Sequence, residues 1–384
     1  MAEQIRRRKK AKRFYDYSLL AVIVFLCVFG LIIVYSSSSY SAEIKVGDSL
    51  YYFKRQGAFL MAGFFAMIVI SKFNYHWYAK FTPLLWIASL VIMCLTNFTS
   101  MGIELNGQKR WFGITESLSF QPAELVKITV ILCLAGWISL IGRKIDNWRG
   151  ILVAFFMAFP LFLLVAMNNL SSGIIIAGVC FIMCFVGSKN KWLYFGSALL
   201  GLLIIFLFVQ FGEKMVEWGL LEGYQLSRIR VWQNPEAYPQ DGGWQVLQGL
   251  YAIGSGGLFG RGLGQSIQKL GFIPEAMNDM VFSIICEELG LFGALCVILL
   301  FLFMIWRFMV IANNAPDLLG ALIVVGVMAH ISIQVILNVA VVTNTIPNTG
   351  ISLPFISYGG TSIMFLMAEM GMVLGVSNRI TLEQ

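Results

Sequence analysis

Residues 280–311 read MVFSIICEELGLFGALCVILLFLFMIWRFMVI, with no charged residue between Glu288 and Arg307. A helix needs about 20 predominantly apolar residues to cross a bilayer, so this run predicts a membrane span. Comparable apolar runs recur along the whole chain. We therefore predict an all-α, polytopic integral membrane protein.

Ten spans are predicted when runs interrupted by single polar residues are counted. Their limits are 15–36, 54–71, 79–97, 122–141, 149–167, 170–187, 191–211, 280–311, 319–343 and 359–377.

The composition excludes a soluble globular protein. Of the 384 residues, 58% are hydrophobic and 12% are charged, whereas a soluble domain carries about 25% charged residues. The mean hydropathy is +0.79. The seven cysteines all fall in apolar runs and predict small buried side chains without a disulfide framework. With only His76 and His330 present, neither a histidine metal site nor a Ser-His-Asp triad is expected.

The net charge of +7 does not indicate a nucleic-acid partner, because a cluster of basic residues at 6–13 directly precedes the first span. Further basic residues follow in loops predicted to be cytoplasmic, from Lys72 to Arg307, whereas the outer loops near Asn168 and Asn344 carry none. This positive-inside pattern places both termini in the cytoplasm. We predict a cytoplasmic basic N-terminus at 1–14 and a single membrane domain at 15–384.

Two outer segments are too long and polar to be simple connectors, namely 97–121 and 211–279. The second is a large extracytoplasmic loop between spans 7 and 8, and loops of this length are usually functional. It is rich in glycine between 254 and 264. We expect short helices at the outer membrane surface, with glycines that let the backbone pass close to other groups. The glycine spacing matches neither nucleotide-binding fingerprint.

The acid with the clearest functional signal is Asp279, which precedes the apolar run at Met280 and follows Glu275 by four residues. An ionisable group at the mouth of a span is costly and marks a functional site by default. The alternative interpretation is a helix N-cap, a position that aspartate favours.

Three further groups are predicted on the same outer side. Glu124 and Lys127 share one face of the fourth span, and they form either a neutralising pair or the wall of a wet cavity. Residues 109–111 read Lys-Arg-Trp and either hold an anionic group or supply ordinary loop charge and an interfacial aromatic. Residues 357–362 read Ser-Tyr-Gly-Gly-Thr-Ser. They either start a helix whose small residues allow close helix packing, or adjoin irregular backbone, which is stable at membrane depth only where it is buried in protein or lines a cavity.

These residue types favour one general base acting on a substrate hydroxyl, with cationic groups or a metal ion stabilising a leaving group. The candidate site therefore has Asp279 as catalytic residue. Its candidate substrate-binding residues are Lys109, Arg110, Trp111, Glu124, Lys127, Glu275 and Ser357.

The chain resembles the SEDS family of bacterial cell-wall polymerases, named for shape, elongation, division and sporulation. The resemblance covers nearly the whole chain and is carried by six motifs. They are GQKRW at 107–111, FQPAELVK at 120–127, GRGLG at 260–264, PEAMND at 274–279, EELG at 287–290 and LPFISYGG at 353–360. Met277 stands where many members have histidine, and Thr361 stands where a serine is usual.

The resemblance implies a ten-span fold and a peptidoglycan glycosyltransferase that polymerises lipid II. Asp279 would be the base that deprotonates the acceptor hydroxyl, with inversion at the donor sugar and departure of undecaprenyl pyrophosphate. Glu124 and Lys127 match the family's charged pair in the fourth span, and Arg110 and Trp111 match its first-loop positions. A divalent cation, Mg²⁺ or Mn²⁺, is implied by the resemblance alone.

The resemblance also implies partners: a class B penicillin-binding protein, which is a transpeptidase, and other membrane proteins of the divisome or elongasome. The sequence NNLSS at 168–172 is closer to division- and sporulation-type members than to elongation-type ones, and we favour a division type. Two alternatives stay open, a flippase or transporter for lipid-linked precursors and a scaffold that recruits the transpeptidase. Charges gathered at the outer face favour the enzyme over both.

Overall fold

The computed structural model describes residues 12–105, 108–115, 118–189, 191–217 and 223–382. Most of the N-terminal basic cluster, the start of the 107–111 motif at Gly107, and residues 218–222 of the large outer loop lie outside these ranges.

Twelve α-helices form the described part of the chain. Their bounds are α1 Tyr17–Val46, α2 Tyr51–Lys72, α3 Tyr75–Phe98, α4 Pro122–Ile141, α5 Trp148–Asn168, α6 Leu170–Gly187, α7 Trp192–Glu217, α8 Gly223–Gln233, α9 Gly243–Gly256, α10 Val281–Asn313, α11 Leu318–Val342 and α12 Gly360–Ser377. Nine helices in the described ranges are long and apolar enough to cross a membrane, namely α1–α6 and α10–α12. The remaining predicted span, 191–211, coincides with the 26-residue helix α7.

The helical, polytopic fold class is thus confirmed, and the described residues also contain five short strands that the sequence did not predict. Segment 97–121 contains a three-stranded antiparallel sheet of β2 Gly102–Leu105, β3 Gln108–Thr115 and β4 Leu118–Phe120. Near the two ends of the chain, β1 Lys12–Phe14 pairs with β5 Ile380–Leu382. Strand β1 pairs with a strand at the far end of the sequence, a partner that local sequence does not encode, whereas β2, β3 and β4 pair with their neighbours along the chain.

The β1–β5 pair brings both ends of the chain to one face of the molecule, as an even number of spans requires. Next to it, the Arg307 guanidinium forms an ion pair with the buried Asp16 carboxylate at 2.7 Å. The cytoplasmic location of this face stays a prediction. The division of the chain into units at 1–14 and 15–384 also stays a prediction.

Close packing of α2 against α12 depends on small residues. A Cβ atom on Gly371 would lie 2.8 Å from the backbone oxygen of Met67, and one on Gly63 would lie 2.9 Å from the Met367 side chain. Small residues let helix backbones approach where lipid supplies no hydrophobic driving force. Deeper in the bundle, His330 of α11 pairs with Glu369 of α12 at 2.8 Å, and both are buried.

The large outer loop is joined to α10 at a break in that helix. Gly290 has φ 67° and ψ −167° inside α10. In an unbroken helix, the N–H groups of Leu291 and Phe292 would donate to the carbonyls of Glu287 and Glu288. Instead they donate to Gly257 and Leu258 at 2.9 and 3.0 Å.

The two carbonyls left over at the break also accept from the loop. The N–H groups of Arg261 and Gly262 donate to Glu287 and Glu288 at 3.0 and 2.9 Å. A Cβ atom on Gly260 would overlap the carbonyl oxygen of Glu288. The expectation that loop glycines allow close backbone approach is therefore confirmed at this crossing.

Side chains reinforce the same junction. The Glu287 carboxylate accepts from the N–H groups of Ile267 and Gln268 at 3.0 and 3.3 Å. The buried Lys269 ammonium lies 2.8 Å from the Glu288 carboxylate. Ser36 of α1 also donates to Glu288, at 2.6 Å. The Glu-Glu pair therefore fixes the loop directly upstream of 273–279.

We predict that Gly260→Ala destabilises the protein by at least about 2 kcal/mol, because a left-handed φ costs about 1–2 kcal/mol outside glycine and the methyl group would also overlap Glu288. Thermal unfolding in detergent measures the effect. Gly254→Ala is the matched control, since Gly254 lies in α9 with open space at its Cβ position. Equal unfolding temperatures for the two variants would show that the crossing does not constrain the loop.

Candidate active site

A cavity of about 420 Å³ lies at the helix ends that the charge pattern predicts to be outer. Five parts of the chain form its wall: the start of α2, strands β3 and β4 with Gln121, the α5–α6 junction, the segment before α10, and the segment leading into the start of α12. The residues are Arg55, Phe59, Arg110, Trp111, Ser119, Gln121, Asn169, Glu275, Asn278, Asp279, Gly350, Ser352, Tyr358, Gly359, Gly360, Thr361 and Ser362.

Asp279 lies in this wall and is 9% exposed. Helix α10 has Met280 at its N-cap position and no side-chain cap bond, so the N-cap interpretation of Asp279 is not what the geometry shows. The Asp279 carbonyl accepts from the Asn338 amide at 2.9 Å. The carboxylate accepts from the Gln245 amide at 3.4 and 3.5 Å.

The surroundings of Asp279 raise the pKa of its carboxyl group to about 7. Burial is the largest cause, because it disfavours the charged form, and the nearby Glu275 charge acts in the same direction. Hydrogen bonds from the Gln245 side chain and from the backbone near Asp279 and Met280 lower the pKa and limit the shift. A carboxyl group with a pKa near 7 is suited to general-base catalysis at neutral pH.

The Gln245 amide is itself oriented by neighbours. Its oxygen accepts from Asn348 at 3.3 Å, and the Asn348 carbonyl accepts from Arg228 at 3.0 Å. With its oxygen engaged, Gln245 presents its NH₂ group to Asp279. The sequence did not predict Gln245 as a site residue, because nothing local to helix α9 shows that Gln245 lies beside a residue 34 positions later.

Glu275 lines the cavity in a left-handed conformation with φ 55°. Its carboxylate accepts a hydrogen bond from the Asn278 side chain. The turn from Glu275 to Asp279 therefore places both acids at one cavity, as the sequence predicted.

Two arginines supply positive charge to the wall. Arg110 was predicted, and its Nε donates to the Asn168 carbonyl at 2.7 Å. The sequence did not predict Arg55 of α2 as a site residue, because basic residues commonly flank the start of a membrane span. Trp111 also lines the cavity, whereas the structure places Lys109 on β3 outside the described lining.

Ser357 lies behind the wall. Its hydroxyl donates to the Asn278 carbonyl at 2.6 Å and accepts from the Leu353 N–H at 2.7 Å. The Tyr358 N–H donates to the Met277 carbonyl at 2.8 Å. These bonds join the α11–α12 connection to the turn that carries Asp279. A substrate contact by Ser357 stays a prediction.

The Glu124–Lys127 pair forms as predicted, with 2.8 Å between Nζ and Oε1. Both residues are buried, and they lie on α4 just beyond Gln121, the residue of this element that lines the cavity. The variants described below test the neutralising interpretation of the pair, and a functional role stays a prediction.

A metal held by protein ligands alone does not fit the described residues, which contain no group of three or more His, Cys, Asp or Glu able to hold one. Magnesium bound by one or two carboxylates together with substrate phosphates does fit. Glu275 is the available carboxylate beside Asp279 in the cavity.

Comparison with known proteins identifies the class of this membrane protein. Residues 17–381 match the model of the FtsW/RodA/SpoVE family, described as cell cycle protein. The chain therefore belongs to this family, a group of multi-pass bacterial inner-membrane proteins.

Two relatives come from Bacillus subtilis. Stage V sporulation protein E is 36% identical over 364 residues, which is 94% of this chain and 96% of the relative. Probable peptidoglycan glycosyltransferase FtsW is 37% identical over 376 residues, or 96% of this chain and 92% of the relative. Because the two identities are nearly equal, the preference for a division type stays a prediction.

Solved structures share the fold. One is a chain from a peptidoglycan synthase complex described in terms of coordinated polymerization and crosslinking. It matches with a TM-score of 0.77 at 25% identity, covering 94% of this chain and 97% of that one. The rod shape determining protein RodA of Thermus thermophilus matches with a TM-score of 0.67 at 23% identity, covering 96% and 98%.

We predict that Gln245→Leu raises the pKa of Asp279 above about 7 by about 0.4–1 unit, because hydrogen bonds as long as 3.4 and 3.5 Å are weak and contribute about 0.5–1.5 kcal/mol. Infrared difference titration of the carboxyl band, assigned by its loss in Asp279→Asn, measures the shift. Gln265→Leu, an exposed loop position, is the control and leaves the titration unchanged. Identical titration curves for Gln245→Leu and Gln265→Leu would contradict a hydrogen bond between Gln245 and Asp279.

Lys127→Met is expected to destabilise the protein by about 3–5 kcal/mol, because it leaves Glu124 buried and unpaired. The double variant Glu124→Gln/Lys127→Met removes both charges and should recover most of that loss. Thermal unfolding in detergent compares the three proteins. A single variant as stable as the wild type would show that Glu124 does not depend on Lys127.

Proposed function

We propose that this protein is a peptidoglycan glycosyltransferase that polymerises lipid II at the outer face of the cytoplasmic membrane. The observation that carries the proposal is Asp279, a carboxyl group with a pKa raised to about 7 in a cavity that also contains Arg55 and Arg110. The names of the FtsW relatives and the synthase complex support the same activity.

In the proposed reaction, the Asp279 carboxylate takes the proton from the 4-hydroxyl of the acceptor sugar. The oxygen forms a bond to the anomeric carbon of the donor lipid II as the bond from that carbon to the diphosphate oxygen breaks. Attack opposite the leaving group inverts the configuration. The electron pair departs with undecaprenyl pyrophosphate, and Asp279 later releases its proton to water.

Arg55 and Arg110 are assigned to the diphosphate. Guanidinium groups bind phosphate oxygens in bidentate geometry, and positive charge stabilises the negative charge that develops on the leaving group. When bound, Mg²⁺ or Mn²⁺ would add to that stabilisation. Glu275 and the substrate phosphates would hold the ion, which leaves Asp279 available to the acceptor.

Water exclusion follows from the same geometry. Asp279 is already largely buried, Gln245 lies against it, and Asn348 lies against Gln245. Trp111 and Phe59 give the wall apolar surfaces against which sugar rings can pack. A site closed to water favours attack by the acceptor hydroxyl over hydrolysis of the donor.

The fold match to a synthase complex supports a transpeptidase partner. We assign this role to a class B penicillin-binding protein, with other divisome or elongasome membrane proteins as further partners. The partner transpeptidase would then cross-link the glycan strands that this chain polymerises.

Asp279→Asn is expected to abolish glycan strand formation from purified lipid II, because the amide cannot accept the proton. Gel analysis of the products compares wild type and variant, each with and without the cognate transpeptidase. Asp48→Asn is the matched control, since Asp48 is an exposed carboxylate outside the described cavity lining and paired with Lys54. Full activity in Asp279→Asn would remove Asp279 from the mechanism, and inactive wild type with its partner would favour the flippase.

Folding of the variant is checked by its stability at different pH values. The carboxyl of an unfolded chain titrates near 3.8 and that of the folded protein near 7, so the folded state binds more protons between these values. Wild-type stability therefore falls as pH rises through this window, while catalysis by the ionised carboxylate increases. Above pH 7, Asp279→Asn should unfold at a higher temperature than the wild type.

A further inference from the structure

A second cavity, of about 540 Å³, lies among α4, α5, α6 and α7, away from the candidate active site. Its described lining is apolar apart from Tyr194 and Ser197 and contains no charged side chain. Phe155 and Leu193 belong to the wall and are 51% and 53% exposed, so the cavity opens sideways from the bundle. In a membrane protein, such an opening faces lipid.

The length of the cavity along α5 matches the thickness of the hydrocarbon layer of one leaflet. On α5 it extends from Ile151 to Phe162, which corresponds to about 16 Å at 1.5 Å per residue. Half of a hydrocarbon core of about 30 Å is about 15 Å. The cavity starts at the ends of α5 and α7 that the charge pattern assigns to the cytoplasm, so it lies in the inner leaflet.

The mouth of the cavity is cationic. Lys144 lies in the connection that leads into α5, Arg149 lies in the first turn of α5, and Lys189 and Lys191 lie in the connection that leads into α7. The acid among them, Asp146, is already engaged: its carboxylate accepts from the Ser188 hydroxyl and the Lys189 N–H, both at 2.7 Å.

Two tryptophans mark the membrane surface at the same level. Trp148 begins α5 and is 65% exposed, and Trp192 begins α7 and is 84% exposed. Exposed tryptophans at helix ends lie at the headgroup level. Positive charge at this level attracts anionic headgroups, and the apolar wall below it fits an acyl chain.

We propose that the α5–α7 cavity is a binding site for an anionic phospholipid of the cytoplasmic leaflet, with one acyl chain in the cavity and the headgroup at the Lys144–Lys191 mouth. The site is separate from the glycosyltransferase proposal and does not depend on it. An occupied cavity would also hold α7, the helix that leads into the large outer loop, against α5 and α6.

The test is native mass spectrometry of the full-length protein titrated with phosphatidylglycerol or phosphatidylcholine of identical chains. Ala177→Trp fills the cavity from an exposed position on α6, and displacing even two methylene groups lowers affinity roughly tenfold. Ala62→Trp is the matched control, because Ala62 is exposed on α2 and outside this cavity. We expect phosphatidylglycerol binding to be lost in the first variant and kept in the second.

Charge is tested separately with Lys144→Gln/Lys189→Gln. Each lysine near a membrane surface contributes roughly fivefold to anionic lipid binding, so the preference for phosphatidylglycerol should fall roughly 25-fold. Lys72→Gln/Lys80→Gln, also in a loop predicted to be cytoplasmic, is the control and retains the preference.

Three results would overturn the proposal: unchanged binding in Ala177→Trp, equal affinity for both lipids in the wild type, or stronger competition by undecaprenyl phosphate than by phosphatidylglycerol. The last would make the cavity a polyprenyl site. Unfolding temperatures of all variants, measured without added lipid, separate lost binding from lost folding.

Discussion

The backbone exchange at Gly290 is the constraint on which the outer half of the molecule depends. Backbone at membrane depth is stable only when its N–H and C=O groups are hydrogen-bonded. The break in α10 leaves two N–H groups and two carbonyls without their partners in the helix. The loop segment 257–262 takes up all four. Because that segment is then fixed, residues 263–279 must span a set distance before α10 begins, and the turn that carries Asp279 has little freedom.

Two buried carboxylates of α10 make this constraint stronger, because they too depend on the loop for partners. Glu287 and Glu288 are fully buried, which is unfavourable unless each carboxylate is hydrogen-bonded and paired. The loop supplies those partners through the backbone at 267–268 and through Lys269. The loop thus stabilises the helix while the helix orders the loop, so neither is expected to keep its geometry without the other.

Apolar run length could predict the spans, because lipid imposes the same demand on every crossing segment. It placed the end of α1 at residue 36, however, whereas the helix continues to Val46. The extension is polar, and Ser36 bonds to Glu288, 252 positions away.

Asp279, Glu275, Arg110 and Trp111 could be predicted as one site from charge and topology. Gln245, Arg55 and Asn338 could not, since their roles come from tertiary neighbours.

The reactivity proposed for Asp279 follows from a balance between these forces. Burial and Glu275 raise the pKa of the carboxyl group, and without opposition they would keep it protonated at neutral pH. Backbone hydrogen bonds at Asp279 and Met280 oppose them. Gln245 does so too when its NH₂ group faces the carboxylate, an orientation that Asn348 and Arg228 favour. Asn348 belongs to the α11–α12 connection, which also bonds to the Asp279 turn through Ser357. Movement of that connection would change the orientation of Gln245 and the basicity of Asp279 together, so a partner that bound there could control catalysis without touching the substrate.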